Sequence, residues 1–341
     1  MELDVYCTEP HPARIGEIAR QAQAAGFAGL WVTEAAHNPY IAAALAAEAA
    51  DGLMIGTDVA IAFPRSPMVT AQAAWDLAAL SGGRFILGLG TQVKAHLERR
   101  FSVSGERPAA RIREYILALR AIFDAFAKRA PLRFEGEFHR FSLLTDFFDP
   151  GPIEVPDPPI YLAGVNERLG QVAGEVADGF CVHPLNSPKY LAEVLRPSIE
   201  EGAKKAGRDA SAVSLVAPVF VVVGEPGPEL DRQRQAIRLQ IAFYGTTPSY
   251  GRVLEVHGHD DLGSRLGSLL RAGDQPGMAA AIDDELLDAF AVTASWDGLA
   301  EALISRFGGL ADRIFPYHAR GLDDPEVAAR WREVAAAVSA A

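Results

Sequence analysis

Short apolar segments alternate with helical segments along almost the whole chain, and this alternation constrains the possible folds more than any other feature. The helical segments repeat apolar residues at intervals of three and four, as Ile112, Tyr115, Ile116 and Leu119 do. The apolar segments have the length of buried strands and end near glycine or polar residues. We predict strands at residues 3–7, 30–34, 54–63, 85–89, 160–164, 179–183, 213–223 and 313–317.

Eight strands separated by helices predict a single (β/α)8 TIM barrel domain over residues 1–341. Two insertions are expected within it. Residues 132–141 alternate in polarity and predict a hairpin, whereas residues 228–290 are too long for one crossover and predict a helical insertion. An open doubly wound sheet is the alternative fold, although Gly88-x-Gly90 lacks the third glycine of a dinucleotide-binding fingerprint.

Composition excludes several classes of partner. The 341 residues carry a formal net charge of −12 and no block rich in lysine or arginine, so nucleic acid is not an expected partner. Apolar runs fall short of the ~20 residues that a membrane span needs, so no membrane association is expected.

The cysteines and the start of the sequence predict the location of the protein. Cys7 and Cys181 both lie in apolar runs, and the first strand follows Met1 directly, so we expect a cytoplasmic protein without disulfides.

Polar residues gather where the predicted strands end, and α/β barrels carry their chemistry at that end. Glu34 and His37 follow the second strand. His37 could exchange a proton with a substrate because imidazole titrates near neutral pH, or it could be an ordinary loop histidine. Glu34 could orient His37, or it could serve as the carboxylate of a helix N-terminus or an ion pair.

The fourth and fifth strands are followed by candidate ligand-binding loops. The small residues from Gly88 to Thr91 would let a flat ligand lie against the backbone. Residues 163–166 join the fifth strand to a helix whose first amides could bind phosphate, with Asn166 as an ordinary helix cap in the alternative interpretation. His183, at the end of the sixth strand, could reach the same ligand.

A metal site has weak support. His257-Gly-His259-Asp260 places two histidines one residue apart, without a cysteine or a paired carboxylate motif nearby. We therefore predict no metal.

Several segments in the same order along the chain resemble the bacterial luciferase-like monooxygenase superfamily. These segments are Leu30-Trp-Val-Thr-Glu34 with His37, Ile55-Gly-Thr-Asp-Val59, Leu80-Ser-Gly-Gly-Arg-Phe-Ile-Leu-Gly-Leu-Gly90, Pro159-Ile-Tyr-Leu-Ala-Gly164 with Asn166, and Ala173-Gly-Glu-Val-Ala-Asp-Gly179. The stretches Thr-Glu-Ala-Ala-His-Asn-Pro-Tyr and Ala-Phe-Pro-Arg-Ser-Pro-Met resemble the branch that uses the deazaflavin coenzyme F420 rather than FMN.

The resemblance implies a barrel whose strand carboxyl ends hold an isoalloxazine-type ring. It also implies a non-proline cis peptide near Asp58-Val59-Ala60, where a bulge supports that ring. The cofactor-binding residues expected from it are Asp58, Val59, Ala60, Thr91, Gln92, Ala163, Gly164, Val165, Asn166 and His183.

One loop departs from the resemblance. Deazaflavin sugar-phosphate dehydrogenases carry an acidic proton donor after the fourth strand, but Gln92, Val93 and Lys94 stand here. A sugar-phosphate dehydrogenase is therefore not expected.

The function that this resemblance implies is an F420-dependent oxidoreductase that transfers a hydride to or from a small organic substrate. His37 would be the proton carrier and Glu34 would orient it. An FMN-dependent monooxygenase and a non-enzymatic flavin-binding member are the alternatives. The resemblance also implies a homodimer formed through barrel helices.

Overall fold

Eight parallel strands form a barrel within the described residues. The computed structural model describes residues 1–317, 319 and 321–341. The strands are β1 (Glu2–Leu3 and Val5–Cys7), β2 (Gly29–Val32), β3 (Met54–Thr57, continued by Ala60–Ile61), β4 (Phe85–Gly90), β5 (Ile160–Gly164), β6 (Gly179–Val182), β7 (Ser214–Val223) and β8 (Arg313–Pro316).

The first strand closes the barrel because it pairs on both sides. Val5 pairs with Leu30 of β2, while Leu3 pairs with Ile314 of β8. Between these two pairings lies Asp4, a fully buried residue whose carboxylate accepts hydrogen bonds from the guanidinium of Arg313 at 2.6 and 2.7 Å. Closure confirms the predicted TIM barrel and rules out the open sheet.

Helices cover the outside of the barrel, as the alternation predicts. Those outside the long insertion are Ile15–Ala24, Pro39–Ala49, Pro67–Leu80, Lys94–Arg99, Pro108–Phe126, Glu167–Val176, Pro188–Tyr190 continued by Leu191–Leu195 and Arg196–Ala206, Leu299–Phe307 and Pro325–Ser339, with short 3-10 turns at Asp146–Phe148 and Ala210–Ala212. Among the described residues, no helix is both long and apolar enough to cross a membrane.

The structure contains both predicted insertions. Phe134–Glu135 and Arg140–Phe141 form the hairpin, and the Glu114 carboxylate accepts the backbone N–H groups of its turn. The second insertion consists of Pro228–Gly245, Pro248–Tyr250, Gly251–Glu255, Leu262–Ala272, Gln275–Ala280 and Asp284–Phe290.

A short strand that the sequence did not indicate follows this second insertion. Ala291–Ala294 pairs in parallel with Phe220–Val223, the part of β7 that extends beyond its pairing with β8. Four residues directly after a helix carry no turn signal and too little alternation to be recognised locally.

Side chains fill the barrel below its mouth. One inward-facing cluster takes a residue from each of six strands, and all six are at most 8% exposed: Trp31, Ile86, Tyr161, Cys181, Val216 and Phe315. A barrel interior packed in this way has room for a ligand only above the cluster, at the carboxyl ends of the strands.

Candidate functional site

A cavity of about 630 Å³ opens at the carboxyl ends of the strands. Most of the barrel strands or the loops that follow them contribute to its walls, and the long insertion closes one side. Its lining residues are Tyr6, Thr33, Asp58, Val59, Ile61, Gly90, Thr91, Gln92, Val93, Lys94, Pro108, Ala109, Ala163, Gly164, Val165, Asn166, Arg168, Leu169, Cys181, Val182, His183, Pro184, Tyr244, Ser249, Tyr250 and Tyr317.

The floor of the cavity is a bulge in β3. Gly56 pairs with Ile86 and Ala60 with Leu89, so β3 carries one residue more than β4 between these two pairs. The Asp58–Val59 peptide within the bulge is cis, as the family resemblance implies.

Two glycines of β4 make room for this bulge. A Cβ atom on Gly88 would overlap the carbonyl oxygen of Thr57, and one on Gly90 would overlap the side chain of Val59. The expectation that Gly88 and Gly90 lie in a loop needs correction, because both belong to β4. Gly88 makes room for the backbone of Thr57, and Gly90, which also lines the cavity, makes room for the side chain of Val59. The Thr57 hydroxyl also links β3 to β4, because it accepts the backbone N–H of Gly88 at 2.9 Å and donates to the backbone carbonyl of Gly88 at 2.7 Å.

The Asp58 carboxyl lies at this floor. Burial raises its pKa from an ordinary aspartate value to about 7. Among the described residues, the carboxyl has no hydrogen-bond or ion-pair partner that would lower the pKa again. Both its protonated and its ionised forms are therefore populated near neutral pH.

Aromatic side chains form one wall of the cavity. The His183 ring lies edge-on to Tyr244 at 4.6 Å between ring centroids, and 4.4 Å from Tyr250. The hydroxyls of Tyr244 and Tyr317 are 2.7 Å apart, and the Tyr317 ring stacks on Tyr6 at 5.5 Å. Such a wall suits a flat, conjugated ligand.

His183 is a neutral part of this wall. Burial lowers its pKa to about 3, so the ring carries no charge at physiological pH. Its Nδ1 accepts the backbone N–H of Leu185 at 3.1 Å, which assigns the ring proton to Nε2. The protonated nitrogen can then donate a hydrogen bond to a ligand.

A cationic corner lies where β5 meets the helix Glu167–Val176. Ala163, Gly164, Val165 and Asn166 line the cavity there together with the guanidinium-bearing Arg168. The Asn166 side chain caps the helix by accepting the N–H of Leu169 at 3.1 Å. Because a helix starts with N–H groups that have no partner within it, capping still leaves donors for an anion.

The two predicted catalytic residues do not line this cavity. The Glu34 carboxylate forms a two-point ion pair with Arg65, at 2.7 and 2.8 Å, and accepts the N–H of Ile61 at 2.7 Å. His37 instead packs its ring edge-on against His11 at 4.8 Å. The expected orientation of His37 by Glu34 needs correction, because within the described part of the chain their side chains have these other partners.

Most of the predicted cofactor-binding residues lie together. Asp58, Val59, Thr91, Gln92, His183 and the four residues 163–166 all line the cavity. Ala60 is the exception, because it is fully buried in the pairing of β3 with β4.

Sequence reasoning missed several lining residues. Thr33 and Tyr317 directly follow strands and Tyr6 is the last residue but one of β1, so their positions near strand ends could have indicated them. The tyrosines of the long insertion, Tyr244 and Tyr250, had no local signal that would place them over the barrel.

Of the two histidines considered as metal ligands, His257 forms a contact that holds the insertion in place. His257 lies with Nε2 2.8 Å from the hydroxyl of Ser187 and so attaches the insertion to the loop after β6. Within the described ranges, no three histidine, cysteine, aspartate or glutamate side chains are grouped as a metal ion would require.

The family profile described as luciferase-like monooxygenase matches residues 3–313. Because this match covers most of the chain, the protein belongs to the luciferase-like monooxygenase family. The family and the barrel that the sequence resemblance implied are thus confirmed.

Two relatives show the range of similarity. An uncharacterized protein of Mycobacterium tuberculosis is 44% identical over 306 residues, which cover 88% of this chain and 90% of that protein. The 5,10-methylenetetrahydromethanopterin reductase of Archaeoglobus fulgidus is 29% identical over 291 residues, which cover 83% and 82%.

Solved structures share the fold at lower identity. A coenzyme F420 dependent tetrahydromethanopterin reductase from Methanopyrus kandleri has a TM-score of 0.77 and 22% identity over 97% of both chains. An F420-dependent secondary alcohol dehydrogenase has a TM-score of 0.72 and 17% identity, covering 99% of this chain and 98% of that one. The oxygenating constituent of 3,6-diketocamphane monooxygenase from Pseudomonas putida, in complex with FMN, has a TM-score of 0.66 and 18% identity, covering 99% and 98%.

Proposed function

We propose that this protein is an oxidoreductase that uses the deazaflavin coenzyme F420 for hydride transfer on a small organic substrate. The observation that carries the proposal is the cavity itself, which combines a bulged floor, an aromatic wall and a cationic helix N-terminus. Two structural neighbours, the tetrahydromethanopterin reductase and the secondary alcohol dehydrogenase, are F420-dependent, which supports this choice over FMN.

The residues present fit such a coenzyme. The ring would lie over the bulge at Asp58 and Val59, between β2 and β4, with Thr91 and Gln92 at its edge. A phosphate would bind at Gly164–Asn166 beside Arg168. The coenzyme supplies the hydride chemistry, while these residues orient it and restrict water.

An FMN-dependent monooxygenase is the second candidate, since one structural neighbour holds FMN. A binding titration with both coenzymes separates the two. We expect F420 to bind more tightly than FMN by at least about tenfold, equivalent to ~1.4 kcal/mol. Tight binding of FMN without measurable affinity for F420 would reverse the assignment, and binding without turnover in any substrate screen would favour a non-enzymatic member.

We retain His37 as a proposed proton carrier on the substrate side, because it follows β2 at the end of the barrel where the cavity opens. His37→Ala is expected to lower turnover by ~10²–10⁴-fold, the usual contribution of general acid–base catalysis. The Kd for the coenzyme should change little, because His37 does not line the cavity. Turnover and Kd are measured with a substrate found by screening, and unchanged turnover across pH would remove His37 from the mechanism.

We also propose a homodimer formed through two barrel helices. Ile41 and Leu45 on Pro39–Ala49 are 54% and 41% exposed, and Val69 on Pro67–Leu80 is 55% exposed. These exposed apolar side chains lie on two helices that pack against each other, and a second copy would cover them.

We also propose the cytoplasm as the location of the protein, which the free thiols of Cys7 and Cys181 fit.

The dimer proposal predicts the behaviour of charged variants. Ile41→Glu combined with Val69→Glu should give a monomer by light scattering, because the interface would have to bury two carboxylates. Leu270→Glu is a matched control, since Leu270 is 43% exposed on a different helix. A monomeric wild-type protein, or a dimer that both variants retain, would contradict the proposed interface.

A further inference from the structure

Asp58 is distinguished from the other cavity residues by its chemistry. Among the described residues that line the cavity, it is the single carboxylic acid. The loop after β4, where some deazaflavin enzymes carry an acid, presents Gln92, Val93 and Lys94 instead. The acid of this site therefore belongs to the bulge of β3.

The described groups that interact with Asp58 stay uncharged near neutral pH. Tyr6 of β1, Cys181 of β6 and Tyr317 after β8 all interact electrostatically with its carboxyl. Burial, and to a smaller extent the Asp58 charge, raises the pKa of each of these three groups. His183 is neutral for the opposite reason, because burial lowers its pKa to about 3.

The two cationic side chains among the described lining residues, Lys94 and Arg168, do not pair with Asp58. Lys94 forms an ion pair with Glu106 and lies 3.7 Å from Glu98. Arg168 belongs to the corner that would hold the phosphate. Among the described residues that line the cavity, Asp58 is thus the group whose protonation changes around pH 7.

We propose that Asp58 exchanges a proton with the ring of the bound coenzyme, an inference that rests on the proposed F420-dependent function. The coenzyme would supply the hydride chemistry, in which the electron pair of a ring C–H bond leaves with the hydride for the substrate and one ring N–H proton has to be released. The Asp58 carboxylate would accept that proton: the N–H bond breaks, its electron pair stays with the ring, and an O–H bond forms at Oδ. In the reverse direction Asp58 returns the proton.

The pKa of about 7 suits this exchange in both directions. A carboxylate of ordinary pKa would hold a proton too weakly to return it, whereas a group titrating near the working pH can accept and donate. Burial at the floor of the cavity produces that pKa, with no partner contributing from the part of the chain that the structure describes.

The first test needs no coenzyme. A raised pKa in the folded state means that wild-type protein loses stability relative to Asp58→Asn as pH rises from about 4 to about 7, with no further change above. Thermal midpoints of both proteins across this range should therefore diverge until about pH 7. Asp76→Asn, which changes an exposed aspartate of the helix Pro67–Leu80, should track the wild type.

The second test uses F420 itself as the probe. The absorption spectrum of the bound coenzyme should show a pH-dependent step in the wild type that is missing in Asp58→Asn, while Asp76→Asn keeps it. Asp58→Glu should restore a step at a shifted pH, which a purely structural role would not do.

The outcomes separate the two proposals. Identical spectral titrations in the wild type and Asp58→Asn, or stability curves that run parallel across pH, would overturn the role of Asp58. Failure of every protein to bind F420 while FMN binds would overturn the coenzyme assignment. In that case the stability curves would still report whether Asp58 titrates near pH 7.

Discussion

Arg168→Glu is expected to lower the affinity for F420 by about a hundredfold. In the proposed binding mode, the exchange would remove a charge-assisted hydrogen bond to the phosphate, worth ~1.5–3 kcal/mol. It also places a second negative charge at the N-terminus of the helix Glu167–Val176, where it would repel the phosphate. The Kd is measured by fluorescence titration of the coenzyme.

A neighbouring arginine provides the control. Arg252 lies 3.5 Å from Glu167 at the same helix end but does not line the cavity. Arg252→Glu makes the same change of charge and should leave the Kd close to that of the wild type. Equal losses in both variants would mean a long-range effect of charge, and unchanged affinity in Arg168→Glu would remove the phosphate from this corner.

Gly164→Glu should abolish coenzyme binding outright, but it is a less specific probe of the same corner. A Cβ at this position would lie 2.8 Å from the side chain of Leu169 and 3.0 Å from the ring of Phe180. The variant therefore disturbs the packing of β5 on its helix as well as the anion site. Its circular dichroism spectrum has to match the wild type before its affinity is interpreted.

Glu34→Ala is expected to lower the free energy of unfolding by about 3–5 kcal/mol, the usual cost of removing one partner of a buried ion pair. The side chains of Glu34 and Arg65 are 8% and 16% exposed, and the change also leaves the N–H of Ile61 without its acceptor. With an entropy of unfolding of about 2.1 cal/mol/K per residue, the thermal midpoint should fall by about 4–7 °C.

His37→Ala is the matched comparison for this result. His37 lies three residues from Glu34, and its ring contact with His11 involves no buried charge, so its thermal midpoint should stay near the wild-type value. A stable Glu34→Ala protein that has lost turnover would contradict this structural assignment and return Glu34 to the catalytic residues.

Much of the fold was predictable because barrel strands and helices are local patterns. All eight strand segments could be located from apolar runs and helical spacing, and their order along the chain is their order around the barrel. Ala291–Ala294 could not be located, since it becomes a strand only by pairing with the far end of β7.

The candidate site was predictable only in part. His183 ends a predicted strand and could be assigned to one end of the barrel from its position, whereas Asp58 was expected at the site only from the family resemblance. The partners of Glu34 could not, because Arg65 approaches it only once the loops after β2 and β3 fold against each other.

Local spacing in the sequence by itself determined how many strands the barrel has and which end carries polar groups. Short segments of the sequence carried the resemblance to the family that the profile match confirms. Tertiary structure decided what those groups do. Burial, rather than residue type, moves the pKa of Asp58 to about 7 and that of His183 to about 3. Glu34 forms an ion pair with Arg65 and does not line the cavity. Tyr244 and Tyr250 do line it, although they belong to an insertion that is distant in the chain. Desolvation and pairing depend on which segments meet in space, and this information is absent from the order of residues within any one segment.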